Sequence, residues 1–436
     1  MSWPHAATDI NSAINAANPS DTILVTNGIY QNGGTQVGST SNRVYVSKTL
    51  AIQSVNGPAA TIIKGYQVPG TTNGTSAVRC VYVSVSGLTL SGFTLTNGAT
   101  SFDYGGGLYC TDSGGTVVVS NCVITGNSAR LDGGGVYHGI FNSCVFSGNT
   151  SYGSLGGGAA IYAGLNNCLL VSNTAAVFGG GTYNGVINNC TFAGNYAGTS
   201  GGGAYASTLQ NCILYYNNAG GSAATNGADA CFVLLTNCCV GITNGPVSGG
   251  IKLTNPPAFV DFASGNFRLQ TNSPCINAGS NYFITNITGI DLDGRPRLVS
   301  GSVDIGAYEF QGPCMGEFMG WLQQYGLPTS GAADYVDSNG DGFNNWQEWR
   351  AGTIPTNAAS RLQMFSPALT NNSSGVTVSW QSVSGVNYFI QRGSDLSAPP
   401  SFSIVQSNIV GQAGSTSYTD TTATNGGPYF YRVGVQ

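Results

Sequence analysis

Residues 120–149 read SNCVITGNSARLDGGGVYHGIFNSCVFSGN, and the pattern within them runs on through residue 217. Cys122, Cys144, Cys168, Cys190 and Cys212 follow one another at 22, 24, 22 and 22 residues. Two places after each cysteine stands an apolar residue: Ile124, Phe146, Leu170, Phe192 and Leu214. Five places after it stands an asparagine: Asn127, Asn149, Asn173, Asn195 and Asn217. A triple glycine with a following tyrosine marks each unit, at Gly105 with Tyr109, Gly133 with Tyr137, Gly156 with Tyr162, Gly179 with Tyr183 and Gly201 with Tyr205. Self-similarity at such a period marks a solenoid. Apolar residues within the short runs alternate with period 2, which reads as strand. The fold class is therefore all-β: a right-handed parallel β-helix, a three-faced solenoid of about 22 residues per coil, followed by a small β-sandwich.

Coils stack about 4.8 Å apart, so equivalent residues form ladders. Cys122 to Cys212 become an inward column of small, weakly polar thiols. Parallel in-register side chains give poor disulfide dihedrals, and the column lacks the tetrahedral spacing of a zinc site. Disulfides belong outside it, among Cys80, Cys110, Cys231, Cys238, Cys239, Cys275 and Cys314. Asn127 to Asn217 become an amide ladder at a bend, where asparagine tolerates left-handed backbone. Ile10, Ala13, Ile14 and Ala17 fall at helical spacing and predict an amphipathic cap on the open N-terminal coil.

The far end carries Ser273-Pro274-Cys275-Ile276-Asn277-Ala278-Gly279, then Asp291-Leu292-Asp293-Gly294-Arg295-Pro296-Arg297, and closes with Val303-Asp304-Ile305-Gly306-Ala307-Tyr308-Glu309-Phe310. Here the chain resembles the choice-of-anchor Q class of bacterial surface β-helix proteins, within the pectate-lyase-like superfamily, over roughly residues 3–310. The resemblance implies a right-handed parallel β-helix exported by a Gram-negative bacterium, and no particular reaction. The charges at Asp291, Asp293, Arg295 and Asp304 read as a salt-bridged closing turn at the end of the solenoid.

Asp337 to Glu348 matches the twelve-residue EF-hand pattern, with oxygen-bearing residues at its first, third and fifth places, glycine at the sixth and glutamate at the twelfth. The predicted calcium ligands are Asp337, Asn339, Asp341, the Phe343 carbonyl, Asn345 and Glu348. The loop resembles those of dockerins and thrombospondin type 3 repeats, but a dockerin's second loop is missing. A calcium-stiffened hinge therefore fits better than cohesin docking. A short helix is expected over Glu317–Tyr325. From Ser360, strands separated by turns resemble a fibronectin type III-like sandwich with Trp380 and Tyr388 in its core. The domains are thus 1–312, the solenoid with its capping helix; 313–359, the calcium-loop linker; and 360–436, the sandwich.

Only 7% of residues are Asp, Glu, Lys or Arg, and the net charge is -5. No basic stripe exists to neutralise nucleic-acid phosphates, and no run of about 20 apolar residues exists to span a membrane. A surface of amides, hydroxyls and glycine suits a hydroxyl-rich partner, a polysaccharide or other glycan. The N-terminus has neither a basic nor an apolar export region, so a secreted or surface location presumes a signal peptide already removed.

Scarcity of charge sharpens the search for chemistry. Between residues 113 and 228 the charged side chains are Arg130 and Asp132, with His138 close by. Coil register puts Asp103, Arg130 and Asp132 on one edge, with Asp112 and His138 near it. Two carboxylates suit acid–base glycoside hydrolysis, and a base beside Arg130 suits β-elimination from a uronate. Asp103, Arg130, Asp132 and His138 are the catalytic candidates. The plainer reading makes Arg130 and Asp132 a surface pair and His138 an ordinary strand residue. Phe102, Tyr104, Tyr152, Phe178 and Tyr196 fall in the variable turns beside the glycine columns, and Tyr104, Tyr152, Phe178 and Tyr196 are candidate stacking platforms for pyranose rings. Two functions stand side by side: a polysaccharide lyase or hydrolase, and a non-catalytic adhesin or self-assembling surface protein.

Overall fold

Three-residue strands of the repeat alternate outward and inward, as Val123, Ile124 and Thr125 do, with Ile124 fully buried. In a computed structural model these strands stack in parallel, with Ile124, Phe146, Leu170, Phe192 and Leu214 in register. The structure describes residues 6–111, 114, 116–220, 227–244, 248–249, 252–284, 289–299, 302–311, 315–328, 333, 336–369, 375–395, 402–424 and 427–435. Two compact units emerge, Met1–Gln311 and Gly312–Gln436.

The first unit is a parallel β-helix. Three 10-stranded sheets run its length among the described residues, and a 6-stranded ladder forms a short fourth face. Sheet 1 contains Val78–Val83, Leu108–Cys110 and Val136–Tyr137; sheet 2 contains Val118–Ser120 and Ile140–Asn142; sheet 3 contains Val123–Thr125 and Val145–Ser147. The short ladder runs from Ala99–Thr100 through Ser128–Ala129 to Asn218–Ala219. The expected three faces are thus joined by a narrow fourth at one corner.

The amide ladder forms, but not in left-handed backbone: the positive φ falls one place before each column cysteine, at Asn121, Ser143, Asn167, Asn189 and Asn211. Both the backbone N–H and the side-chain Nδ2 of Asn149 donate to Asn173 Oδ1, at 3.0 and 2.9 Å. The same pair of bonds links Asn127 to Asn149, Asn173 to Asn195 and Asn195 to Asn217. The column ends on the Asp229 carboxylate, which accepts both bonds from Asn217 at 2.9 Å. Burial of so many amides is tolerable because each is satisfied. Beside it the cysteine column is built from thiols and continues from Cys212 to Cys238: the Sγ atoms of Cys168, Cys190, Cys212 and Cys238 each accept the backbone N–H of the preceding cysteine, and Cys122 Sγ accepts that of Phe93. Outside the column, Cys80, Cys110, Cys231, Cys239 and Cys275 also stand as buried thiols, and Cys314 lies outside the described residues.

One helix caps the N-terminal coil. Helix α1, Ile10–Ala16, buries Ile10 and Ile14 and is capped by Asp9, which accepts from the Ser12 N–H at 2.9 Å. The closing segment departs from expectation: it packs along the side of the solenoid. Phe259, Phe267, Leu269, Cys275 and Ile305 cover the outward face of sheet 3 at Leu169, Ala193, Ile213 and Cys239. The physical reason is the apolar outer face of those coils, which needs covering more than a coil end does.

The predicted closing turn is also wired differently. Arg297 rather than Arg295 is the buried cation, and its guanidinium reaches Asn167, Asn189 and the carbonyls of Asp304 and Gly306. Asp304 accepts from the backbone N–H groups of Asn277 and Phe310, and Asp293 pairs with Arg268 at 2.5 Å.

In the second unit, helices α2 (Met315–Gln324) and α3 (Asn345–Ala351) pack Phe318 and Leu322 near Trp321, Trp346 and Trp349. Two three-stranded antiparallel sheets follow, with Trp380 and Tyr388 buried in their core.

Glu309 accepts from the backbone N–H groups of Asp304 and Val299 within the side belt. Burial, with the charge of Asp304 added, pushes its carboxyl up to about 8. An unfolded glutamate titrates near 4.3, so between about pH 4 and pH 8 the folded state binds the extra proton. Stability of the solenoid should therefore fall as pH rises through this window, and Glu309→Gln should flatten the slope. Thermal melts across the window check this.

Candidate functional site

The turns that leave the short ladder are the least repetitive part of each coil, and the charged residues lie there. The structure brings the Asp103 and Asp132 turns together on adjacent coils, where Leu131 N–H donates to the Asp103 carbonyl and Gly105 N–H to that of Asp132. Their carboxylates are committed elsewhere. Asp103 Oδ2 holds the buried Arg79 guanidinium at 2.5 Å and accepts from Thr40 Oγ1 at 3.2 Å, while Oδ1 accepts from the Tyr104 N–H. Arg79 also donates to Asn42 Oδ1 and to the carbonyls of Gly105 and Tyr104. Removing one partner of such a pair strands a buried charge, which is costly. Arg79 escaped the sequence reading because it lies on an irregular early coil outside the repeat.

Asp132 is 5% exposed, and its Oδ1 accepts from the N–H groups of Leu155 and Gly156 at 3.0 and 2.8 Å. It braces the turn of the next coil instead of pairing with Arg130. A Cβ on Gly153 would sit 2.1 Å from that oxygen, so glycine is required there.

The aromatic candidates separate into two groups. Tyr45, Tyr82, Tyr109 and Tyr137 stand in register on sheet 1 with ring centroids 5.8, 5.3 and 5.2 Å apart. Residue 161 breaks the file. The strand registers pair Tyr137 with Ile161 and Ile161 with Tyr183, so Gly157, not Gly156, is equivalent to Gly133. The backbone explains the shift: Gly105, Gly133, Gly157, Gly179 and Gly201 share a left-handed φ of 58–70°. Tyr162 therefore falls in the column of His138, and both have positive φ. His138 lies 4.4 Å from the Tyr137 ring and 5.7 Å from Tyr162, inside the aromatic file. Tyr104 packs on Tyr137 at 4.6 Å, and Phe178 stacks on Tyr205 at 4.4 Å. Stacked rings turn their faces to each other and offer only edges outward. Burial, and then the neighbouring rings, push Tyr137 up to about 12, so its phenol stays protonated at neutral pH.

The second group is open. Phe102 is 72% exposed and Tyr152 is 48% exposed, and with exposed Arg130 they line a shallow cleft of about 480 Å³. Thr71, Asn73 and Thr75 form its opposite wall. Asn73 ties that wall down by donating to the carbonyls of Thr100 and Ser128 and accepting from Ser128 Oγ. Tyr196 is exposed on the short ladder, two coils beyond Tyr152. Of the predicted residues, then, Arg130 and Tyr152 meet in one cleft, Tyr104, His138 and Phe178 join the aromatic file, and Asp103 and Asp132 serve the turns. Asp112 lies outside the described residues. The Thr71–Thr75 wall was not anticipated; its only sequence signal is the extra length of the loop before Val78.

The predicted calcium loop is fully described. Asp337 accepts from the N–H groups of Gly340, Asp341 and Gly342, which hold its carboxyl below the usual range. Three buried oxygens, Asp341 Oδ2, Asn345 Oδ1 and Glu348 Oε2, meet no hydrogen-bond donor among the described residues. Burial and the nearby Asp341 charge push Glu348 up to about 7. Asp337, Asp341 and Glu348 do not by themselves close into a metal-ready cluster, and Asn339 turns Nδ2 toward Glu348 Oε1. A hard cation needs oxygen from Asn and carbonyl groups as well, and the loop holds such groups at Asn339, Phe343 and Asn345. Its orphaned oxygens fit one.

No family model matches the chain, and no curated protein matches it. Among solved structures, that of a pectate lyase, Pel9A, is similar with a TM-score of 0.39 and 14% identity, covering 68% of this chain and 90% of that one. The parallel β-helix is assigned from the strand registers, not from this likeness.

Asp132→Asn should lower the melting temperature measurably. Its amide keeps one acceptor oxygen but loses the charge-assisted bonds to Leu155 and Gly156, worth about 1.5–3 kcal/mol each at most. Thermal denaturation of the variant beside wild type checks this, and the same loss qualifies any activity measured with it.

Proposed function

We propose that the solenoid is a carbohydrate-binding unit that holds a glycan chain at the Phe102–Arg130–Tyr152 cleft without cutting it there. One observation carries this reading: the cleft pairs two exposed rings with an exposed guanidinium, while Asp103 and Asp132 are spent on Arg79 and backbone amides. General acid–base catalysis falls most often to His, with Glu, Asp, Lys and Tyr also used; none of the residues lining this cleft is Asp, Glu, His or Lys, and the Tyr152 phenol is its one acid–base group. A linear glycan crossing coils about 4.8 Å apart would meet Arg130 and Tyr152 on neighbouring rungs and Tyr196 farther on. The polysaccharide partner in turn supports a secreted or surface location, and no helix among the described residues is long and apolar enough to cross a membrane.

The test is a panel of neutral and acidic polysaccharides, measuring binding by calorimetry and cleavage by reducing-end release and unsaturated-uronate absorbance. Binding without cleavage is expected. Phe102→Ala and Tyr152→Ala should each weaken binding by about 2- to 13-fold, the worth of one aromatic contact. Arg130→Ala should weaken acidic glycans selectively. Turnover on any member of the panel that Phe102→Ala, Arg130→Ala and Tyr152→Ala leave unchanged would move the site elsewhere.

The Asp337–Glu348 loop is proposed to take calcium through Asp337, Asn339, Asp341, the Phe343 carbonyl, Asn345 and Glu348. The support is the twelve-residue pattern together with the three unmatched oxygens. A bound divalent cation would neutralise the loop's carboxylates and raise the melting temperature of the unit by mass action. Chelator should lower that temperature and added calcium restore it, and Asp341→Ala should abolish the difference. A calcium titration of the full chain with neither heat nor thermal shift would end the assignment.

A further inference from the structure

Cys238 and Cys239 are adjacent in sequence but stand on opposite faces of one sheet 3 strand. Cys238 points into the solenoid and closes the cysteine column. Cys239 points outward, into the apolar cluster beneath the side belt, and Cys275 of the belt is buried in the same cluster. Both are fully buried. Hydrogen bonding to Cys239, ahead of burial, pushes the Cys275 thiol well up. Cys239 Sγ also donates to the Asn255 carbonyl at 3.3 Å, and the Cys275 N–H donates to Ser273 Oγ at 3.2 Å.

We propose that Cys239 and Cys275 form a disulfide that locks the side belt onto the solenoid. Geometry separates this pair from the rest. A disulfide needs Cβ vectors that converge, with a dihedral near ±90°. Column cysteines such as Cys144 and Cys168 touch too, but they project in parallel from equivalent positions of successive coils, which opposes that dihedral. Cys239 lies on a coil strand and Cys275 on the belt packed over it, so no equivalence of position holds their side chains parallel. Bond formation removes one hydrogen from each Sγ and joins the two sulfurs; the two electrons and two protons pass to a disulfide-bearing oxidant, which leaves as two thiols. Since both sulfurs are buried once the belt has docked, exchange takes place before docking, through a mixed disulfide on either thiol. The bond closes a loop of the intervening residues and joins belt and coil in the unfolded chain too, which stabilises the docked state.

The experiment uses the full chain, refolded with oxidised and reduced glutathione and then unfolded in denaturant with an alkylating reagent but no reductant. Peptide mapping should find one linked pair, Cys239 to Cys275, with Cys122, Cys144, Cys168, Cys190, Cys212 and Cys238 alkylated. Reductant should lower the melting temperature of the wild type by several degrees and leave that of Cys275→Ser unchanged. Full alkylation of both Cys239 and Cys275, or pairing of either with a different cysteine, would overturn the proposal. Because mapping is done on wild type, it decides even if Cys275→Ser fails to fold.

Discussion

In-register stacking governs this molecule. A side chain in the coil stack has copies of its own kind about 4.8 Å above and below it, so the sequence must use groups that tolerate themselves. Like charges at that spacing repel by roughly 1–3.5 kcal/mol between effective dielectrics of 80 and 20, which accounts for the low charge of the repeat. An amide is the opposite case, since each one both donates to and accepts from its neighbour. Thiols tolerate stacking as compact apolar groups, and tyrosines tolerate it by ring-on-ring contact. Such a column still needs an end. The amide ladder finds it in Asp229, whose acceptor-only carboxylate can terminate a chain of donors without leaving an N–H unmatched.

The charges that remain are placed where repetition fails. Arg79 lies under the aromatic file on an early irregular coil and is held by Asp103. Arg297 inserts from the side belt between Asn167 and Asn189 and bonds to carbonyls, with the charges of Glu309, Asp304 and Asp291 acting on it without a direct ion pair among the described residues. Each is buried with several partners, the condition under which a buried cation persists. Asp132 performs the same service in negative form for two amides of the following turn. Carboxylates that resembled catalytic groups are thus framework, because a chain this poor in charge uses the few it has to close irregular backbone. Arg130 differs from these carboxylates: it is exposed beside Phe102 and Tyr152 and makes no ion pair among the described residues.

Much of the fold was legible because the ladders repeat. Cysteine and asparagine spacing alone sets the coil length, the inward column and the bend, and the N-terminal helix follows from its apolar spacing. Resemblance, not spacing, drew attention to the segment from Ser273 to Phe310, but its motifs say nothing about where it packs. A belt and an end cap demand the same apolar residues, and only the outward-facing Leu169, Ala193 and Ile213, buried under it, select the belt. The triple glycines misled at one coil, since Gly156 and Gly157 look alike in sequence. What distinguishes them is the φ of 68° at Gly157, which matches the glycine column, against 110° at Gly156.

Sequence by itself determined the repeat, the strand alternation and the residue types that can stack, since these depend on local periodicity and self-compatibility. Tertiary structure alone decided which charged side chains face solvent. Asp103 and Asp132 lie in surface turns and look available, yet Arg79 and the amides of Leu155 and Gly156 come from other coils. A hydrogen bond made across 23 or 24 residues of chain leaves no mark on either partner's local sequence.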